Sequence, residues 1–196
     1  MSRADNRRGA SRDAPDERAE LLERLRVQQG ELERLTREDD LTGLVNRRHM
    51  RRLLIARLGS AARHDTPLSV ARVDIDHFKL VNTIARDHRV GDEVLRRVAQ
   101  ILRGSARGDD VAGRWGGDEF VLLFPRTLRD DAVAACERLR AAIAREHWEA
   151  IHPRIRVTVT AAVADRSDAD TADGLVAAAD LRLDAAKAEG GNRVAR

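Results

Sequence analysis

The chain has 196 residues, enough for one well-buried core and a short appendage, and its 35% charged and 3% aromatic residues predict charged helices around an aliphatic interior. Lys+Arg (36) and Asp+Glu (33) nearly cancel to a net charge of +3, so the pI near 9.9 reflects excess arginine and gives nucleic-acid binding little support. One cysteine excludes an internal disulfide framework; with no apolar run of membrane-spanning length and no secretory pattern at the start, a cytoplasmic protein with no membrane partner is expected.

In chain order, residues 1–15 are rich in Arg, Asp, Ser and Gly and predict a disordered tail. Residues 16–38 predict a helix in which Leu21, Leu25, Gln28, Leu32 and Leu35 step by four and three, a heptad seam weakened by Gln28 and Gly30. A parallel coiled-coil dimer stalk is favoured over a helix packed on its own domain, because a charged helix ahead of the domain has little else to pack on. The domain itself is expected over residues 39–196. Gly43 breaks the helix, and Asn46 is a plausible N-cap for a second helix ending near Arg63. A strand is expected over 68–76, helices over 77–85 and 91–105, and a hairpin over 110–125 turning at Gly116-Gly117. A helix over 130–145 carries the apolar stripe Val133, Cys136, Leu139 and Ile143. A strand over 155–163 and an Ala-rich helix over 171–189, stopped by Gly190-Gly191, complete the chain. The order predicts an α/β (α+β) sandwich: a central, mostly antiparallel sheet flanked by helices.

The chemistry-bearing residues sit at strand ends. Gly116-Gly117-Asp118-Glu119-Phe120 places two carboxylates at the tip of a rigid ribbon. In Val73-Asp74-Ile75-Asp76 the strand alternation puts Asp74 and Asp76 on one side. If that strand end lies beside the hairpin tip, Asp74 joins Asp118 and Glu119, and three carboxylates so close repel unless a cation is present. Mg²⁺ (or Mn²⁺), a hard ion that takes oxygen ligands, relieves that repulsion and keeps open positions for substrate phosphates. Lys79, on the next turn, can neutralise phosphate oxygens. Acids, magnesium and a lysine are the parts for metal-assisted phosphoryl or nucleotidyl transfer.

Several motifs then occur in order: Asp40-Leu41-Thr42-Gly43-Leu44 with Asn46-Arg47-Arg48, Asp74-Ile75-Asp76-His77-Phe78-Lys79 with Asn82, Gly91-Asp92-Glu93-Val94-Leu95, and Arg114 with Gly116-Gly117-Asp118-Glu119-Phe120. Together they resemble the GGDEF family of diguanylate cyclases over about residues 38–194. The resemblance implies a palm-like fold and a homodimer in which two GTP condense to cyclic di-GMP plus two pyrophosphates. It implies that Asp74, Asp118 and Glu119, with the Ile75 carbonyl, hold magnesium, and that Asp118 or Glu119 helps deprotonate the 3′-hydroxyl. It implies guanine recognition by Asn82 and Asp92. Phe78, Lys79, Gly116 and Gly117 would line the rest of the substrate, with Lys187 on the terminal phosphates. Arg107-Gly108-Asp109-Asp110 stands at the family's spacing for an inhibitory site, so Arg107 and Asp110 would bind the product cyclic di-GMP, with Arg114 as an auxiliary contact.

The chain also departs from the family pattern. One extra residue lies between Asn82 and Asp92, Thr83 replaces an acid, and Gly191 stands where the family has a phosphate-binding arginine. These departures would raise the GTP Michaelis constant or lower turnover. They motivate an alternative expectation: a catalytically weak module that acts as a receptor for cyclic di-GMP or GTP.

Overall fold

The computed structural model describes residues 37–196, and Arg24 alone before them; the tail and stalk expected over 1–38 lie outside the described residues except at Arg24, Arg37 and Glu38, and Glu38 forms an antiparallel bridge with Val45 rather than a helical turn. Strand β2 (Leu68–Ile75) is buried along its whole length and is the axis of the sheet. The other strands are β1 (Val45–Asn46), β3 (Val111–Gly116), β4 (Glu119–Pro125), β5 (Val159–Asp165) and β6 (Val194–Ala195), in the spatial order β1-β3-β4-β2-β5-β6. β2 runs antiparallel to both β4 and β5, and β3 antiparallel to β4; the two-residue edge strands β1 and β6 are parallel to their neighbours. The mostly antiparallel sandwich read from the sequence is the fold observed.

Helices cover both faces: α1 (Arg47–His64), α2 (Phe78–Ala85), α3 (His88–Ser105), α4 (Arg129–Arg145) and α5 (Ala172–Ala188). Alternation along β2 sorts the core. Ala71, Val73 and Ile75 share one cluster with Val98 and Leu102 of α3 and with Cys136, Leu139 and Ile143 of α4. Leu68 and Val70 share the other with Met50 and Leu54 of α1 and Leu175 and Ala179 of α5. Arg72 and Asp74 continue that second face, and both are buried. Cys136 is a fully buried core residue, and burial pushes its thiol up to about 12.

Two boundaries differ from the sequence reading. The last long strand begins at Val159, not Ile155, although Ile155 and Val157 are buried as their alternation suggested. Its partner β2 ends at the Ile75–Val159 pair, so the residues before Val159 have no strand to bond; only the Asp76 N–H reaches back, to the Thr158 carbonyl at 2.9 Å. Helix α3 begins at His88, three residues before the expected Gly91, because the Asp87 carboxylate caps it by accepting from the Arg89 N–H at 2.9 Å. Asn46 does cap α1, accepting from the His49 N–H at 3.0 Å.

Candidate active site

The β2–β4 register sets Asp74 directly opposite Glu119. The hairpin turns one residue later than the double glycine suggested. Gly116 still pairs with Glu119, and the loop is Gly117-Asp118, with Gly117 at φ +52°, a conformation glycine adopts without strain. The two signature acids are therefore not equivalent. Glu119 is fixed in a strand, while Asp118 sits on the turn, its carbonyl accepting from the Ile75 N–H at 3.3 Å. Arg114 holds the turn from below. Its Nε and Nη2 donate to the Gly117 carbonyl at 2.9 and 2.7 Å, and its Nη1 pairs with Asp39 at 3.1 Å. That engagement commits the guanidinium expected to serve as an auxiliary inhibitory contact.

The charges pair off internally. Lys187 Nζ, from the last turn of α5, lies 2.6 Å from Asp74 Oδ1. Burial is the largest influence on Asp74; Lys187 opposes it, while the charges of Asp118 and Glu119 add to it, and the carboxyl is pushed up to about 6. Glu119 Oε2 accepts from Arg72 Nη2 at 2.9 Å, and Arg72 Nε pairs with Asp180 of α5. Among the described residues no three His, Cys, Asp or Glu side chains converge as a ready-made metal cluster. The donor chemistry nevertheless suits a hard divalent ion: a buried carboxylate made hard to ionise by burial and by two neighbouring acids is relieved by a cation. Lys187 and Arg72 neutralise two of the acids in the form seen.

Helix α2 begins over the same end of the sheet. Its N-cap, His77, is left-handed at φ 55° and offers no side-chain cap, so first-turn N–H donors at Phe78 and Lys79 are not satisfied by a capping side chain. The Lys79 side chain is exposed. The extra residue between Asn82 and Asp92 is absorbed by the α2–α3 turn, where Arg86 is left-handed at φ 54° and Asp87 caps the next helix. Asn82 therefore stays beside Gly91-Asp92: a Cβ on Gly91 would lie 2.2 Å from Asn82 Oδ1. That oxygen is buried and without a hydrogen-bond partner among the described residues.

A family model described as "Diguanylate cyclase, GGDEF domain" matches residues 36–193. The chain belongs to the GGDEF family. It is 37% identical over 159 residues to the response regulator PleD of Caulobacter vibrioides, an alignment taking in 80% of this chain and 35% of PleD. It is 35% identical over 184 residues to the diguanylate cyclase DgcM of Escherichia coli, covering 89% of this chain and 42% of DgcM. The chain thus spans well under half the length of these curated relatives. Among solved structures, the coiled coil and GGDEF domain of DgcB from Caulobacter crescentus in complex with c-di-GMP superposes with a TM-score of 0.83 at 31% identity, covering 93% of this chain and 96% of that one.

Two further parts of this GGDEF domain lie outside the acid cluster. In the turn before β3 the Asp110 carboxylate accepts from the Arg107 N–H at 3.0 Å, and the Asp110 N–H returns a bond to the Arg107 carbonyl at 2.8 Å. Arg107 is exposed, and its guanidinium has no partner among the described residues. At the other end, Asp76 does not join Asp74. Its carboxylate accepts from the Thr158 and Thr160 hydroxyls, both at 2.6 Å, and from the Asn192 N–H at 2.9 Å, tying the chain after α5 to the end of β2. Gly191 sits in that loop at φ +69°, where a Cβ would come within 2.8 Å of Asp76 Oδ1. Glycine suits this close approach, and the nearby Arg193 is paired with Glu189. Sequence reasoning missed the Asp76 lock; its signal was the second acid of Asp-x-Asp together with the alternating threonines.

Proposed function

We propose that this chain is a diguanylate cyclase that condenses two GTP into cyclic di-GMP and two pyrophosphates. The observation that carries the reading is the Asp74–Glu119 register with Lys187 Nζ 2.6 Å from Asp74. Asp74, Asp118, Glu119 and the Ile75 carbonyl would hold magnesium or manganese, which when bound supplies charge neutralisation for the triphosphate and the attacking oxygen. Lys187, released from Asp74, binds terminal phosphate oxygens. The uncapped N–H groups of Phe78 and Lys79 receive phosphate at the start of α2, and Gly116 and Gly117 let the nucleotide approach the backbone of the hairpin. Asn82 Oδ1 and Asp92 accept the N1–H and 2-amino protons of guanine. Asp118 or Glu119 takes the proton of the 3′-hydroxyl.

The active species is a homodimer, each subunit presenting one GTP to the other. Product inhibition acts through Arg107 and Asp110, where the unpaired guanidinium can engage a phosphate or a guanine edge. Arg114, spent on the hairpin and Asp39, would have to exchange partners to contribute. Purified protein incubated with GTP and Mg²⁺ should yield cyclic di-GMP by mass detection. The second reading, a receptor for cyclic di-GMP or GTP without turnover, is favoured by the ion pairs that occupy both Asp74 and Glu119. Binding of cyclic di-GMP without any turnover after bound product has been stripped would select it.

A further inference from the structure

Arg72 is the least expected residue in the sheet. It lies in the middle of β2, its side chain only 5% exposed, with Glu119 on one side and Asp180 of α5 on the other. Its guanidinium carbon also stands 5.3 Å from the centroid of the Trp115 ring, against which Arg47 stacks at 5.0 Å. Nη1 is buried with no partner among the described residues. A buried cation that leaves a donor unsatisfied costs free energy, so hydrogen bonding alone is a poor reason for its presence. Its effect is electrostatic: a fixed positive charge one strand position pair from Asp74, on the same face, holding one oxygen of the signature glutamate.

We infer that Arg72 sets the divalent-cation affinity of this site by competing with the metal for Glu119, and that Asp180 moderates the competition by sharing the guanidinium. The inference rests on the metal site in the proposed function. Glu119 and Asp180 side chains are each 42% exposed, so both acids can be solvated when Arg72 is removed. The site then gains one unit of negative charge and a freed ligand. Loss of Asp180 does the opposite, leaving Glu119 as the guanidinium's only carboxylate partner among the described residues. Arg72 acts here through Glu119 and is a positioning residue.

The test is Mn²⁺ binding by calorimetry or electron paramagnetic resonance on the full chain without nucleotide. Arg72→Met should tighten Mn²⁺ binding about tenfold, the scale of one unit charge near a divalent ion under partial water screening. Asp180→Asn should weaken it severalfold, and Arg72→Lys, which keeps the charge, should stay near wild type. A purely structural role for Arg72 would not produce opposite signs. Unchanged or weaker binding in Arg72→Met overturns the inference. If Arg72→Met does not fold, Asp180→Asn decides alone, and unchanged or tighter binding in it overturns the inference. Wild-type protein that binds no Mn²⁺ overturns it as well. A chain that makes no cyclic di-GMP while its Mn²⁺ affinities shift as stated keeps the inference and loses the proposed turnover.

Discussion

Asp74→Asn should stabilise the metal-free domain, a sign opposite to the usual loss of a buried ion pair. Asp74 is buried, and burial chiefly raises its carboxyl from 3.8 to about 6 against the opposing pull of Lys187. The folded state therefore holds the proton more tightly than the unfolded chain, and the domain loses stability as pH rises from 3.8 through 6. Above that range the loss is complete at about 3 kcal/mol, taking ~1.4 kcal/mol per pH unit of difference. Asn never ionises and avoids this loss, but it buries an amide in a place where the one close polar neighbour among the described residues is Lys187, at about 1 kcal/mol. Lys187, 37% exposed, can turn to water. The net gain at pH 8 in a chelating buffer is about 2 kcal/mol, or roughly 4–8 °C in Tm for a domain of this size. At pH 4.5 the ionisation contribution falls to about 1 kcal/mol and the gain nearly vanishes. Thermal denaturation of both proteins at the two pH values measures this. A variant less stable than wild type at pH 8, or a difference independent of pH, would show that Asp74 is not held protonated by burial.

Other expected outcomes concern ligands and assembly. Only ionised Asp74 can act as a ligand, so apparent Mn²⁺ affinity should fall up to tenfold per pH unit below about pH 6, read by titration at several pH values. Gly91→Ala drives a Cβ against Asn82 Oδ1 and should raise the GTP KM about tenfold with a smaller effect on kcat, because it displaces a base contact and leaves the acids in place. Arg107→Ala should abolish inhibition by added cyclic di-GMP while moving stability by less than about 0.5 kcal/mol, since this exposed side chain has no internal partner among the described residues. Leu25→Asp combined with Leu32→Asp tests the proposed stalk: if the heptad seam tethers two subunits, specific activity should fall at low protein concentration, and specific activity that stays constant on dilution would argue against it.

The sequence was most legible where periodicity was strong and partners were local. The apolar stripe of α4, the N-cap at Asn46 and the strand at β2 followed from spacing and residue type. Edge strands β1 and β6 were not legible, because two residues carry no period. The start of β5 was misplaced because alternation reports burial, whereas a strand also needs a partner of matching length. In the site, Asp74 and Glu119 come together as the motifs suggested, but the cations that neutralise them are set by tertiary packing. Lys187 lies 113 positions beyond Asp74, and Arg72 had no motif to announce it. Asp76 was read as a companion of Asp74 because strand alternation was extended one residue past the end of the strand. The insertion before Asp92 looked disruptive as text, yet a single left-handed residue at Arg86 and a cap at Asp87 absorb it.

Asp74, Glu119 and Lys187 are proposed to form a working GTP site. Its most direct test is mass detection of cyclic di-GMP after purified, product-stripped chain is incubated with GTP and Mg²⁺. Wild type should form cyclic di-GMP and pyrophosphate, and Asp118→Ala and Glu119→Ala should each form none while remaining folded. Folded wild-type protein that binds GTP yet forms no cyclic di-GMP under these conditions would rule out the cyclase reading.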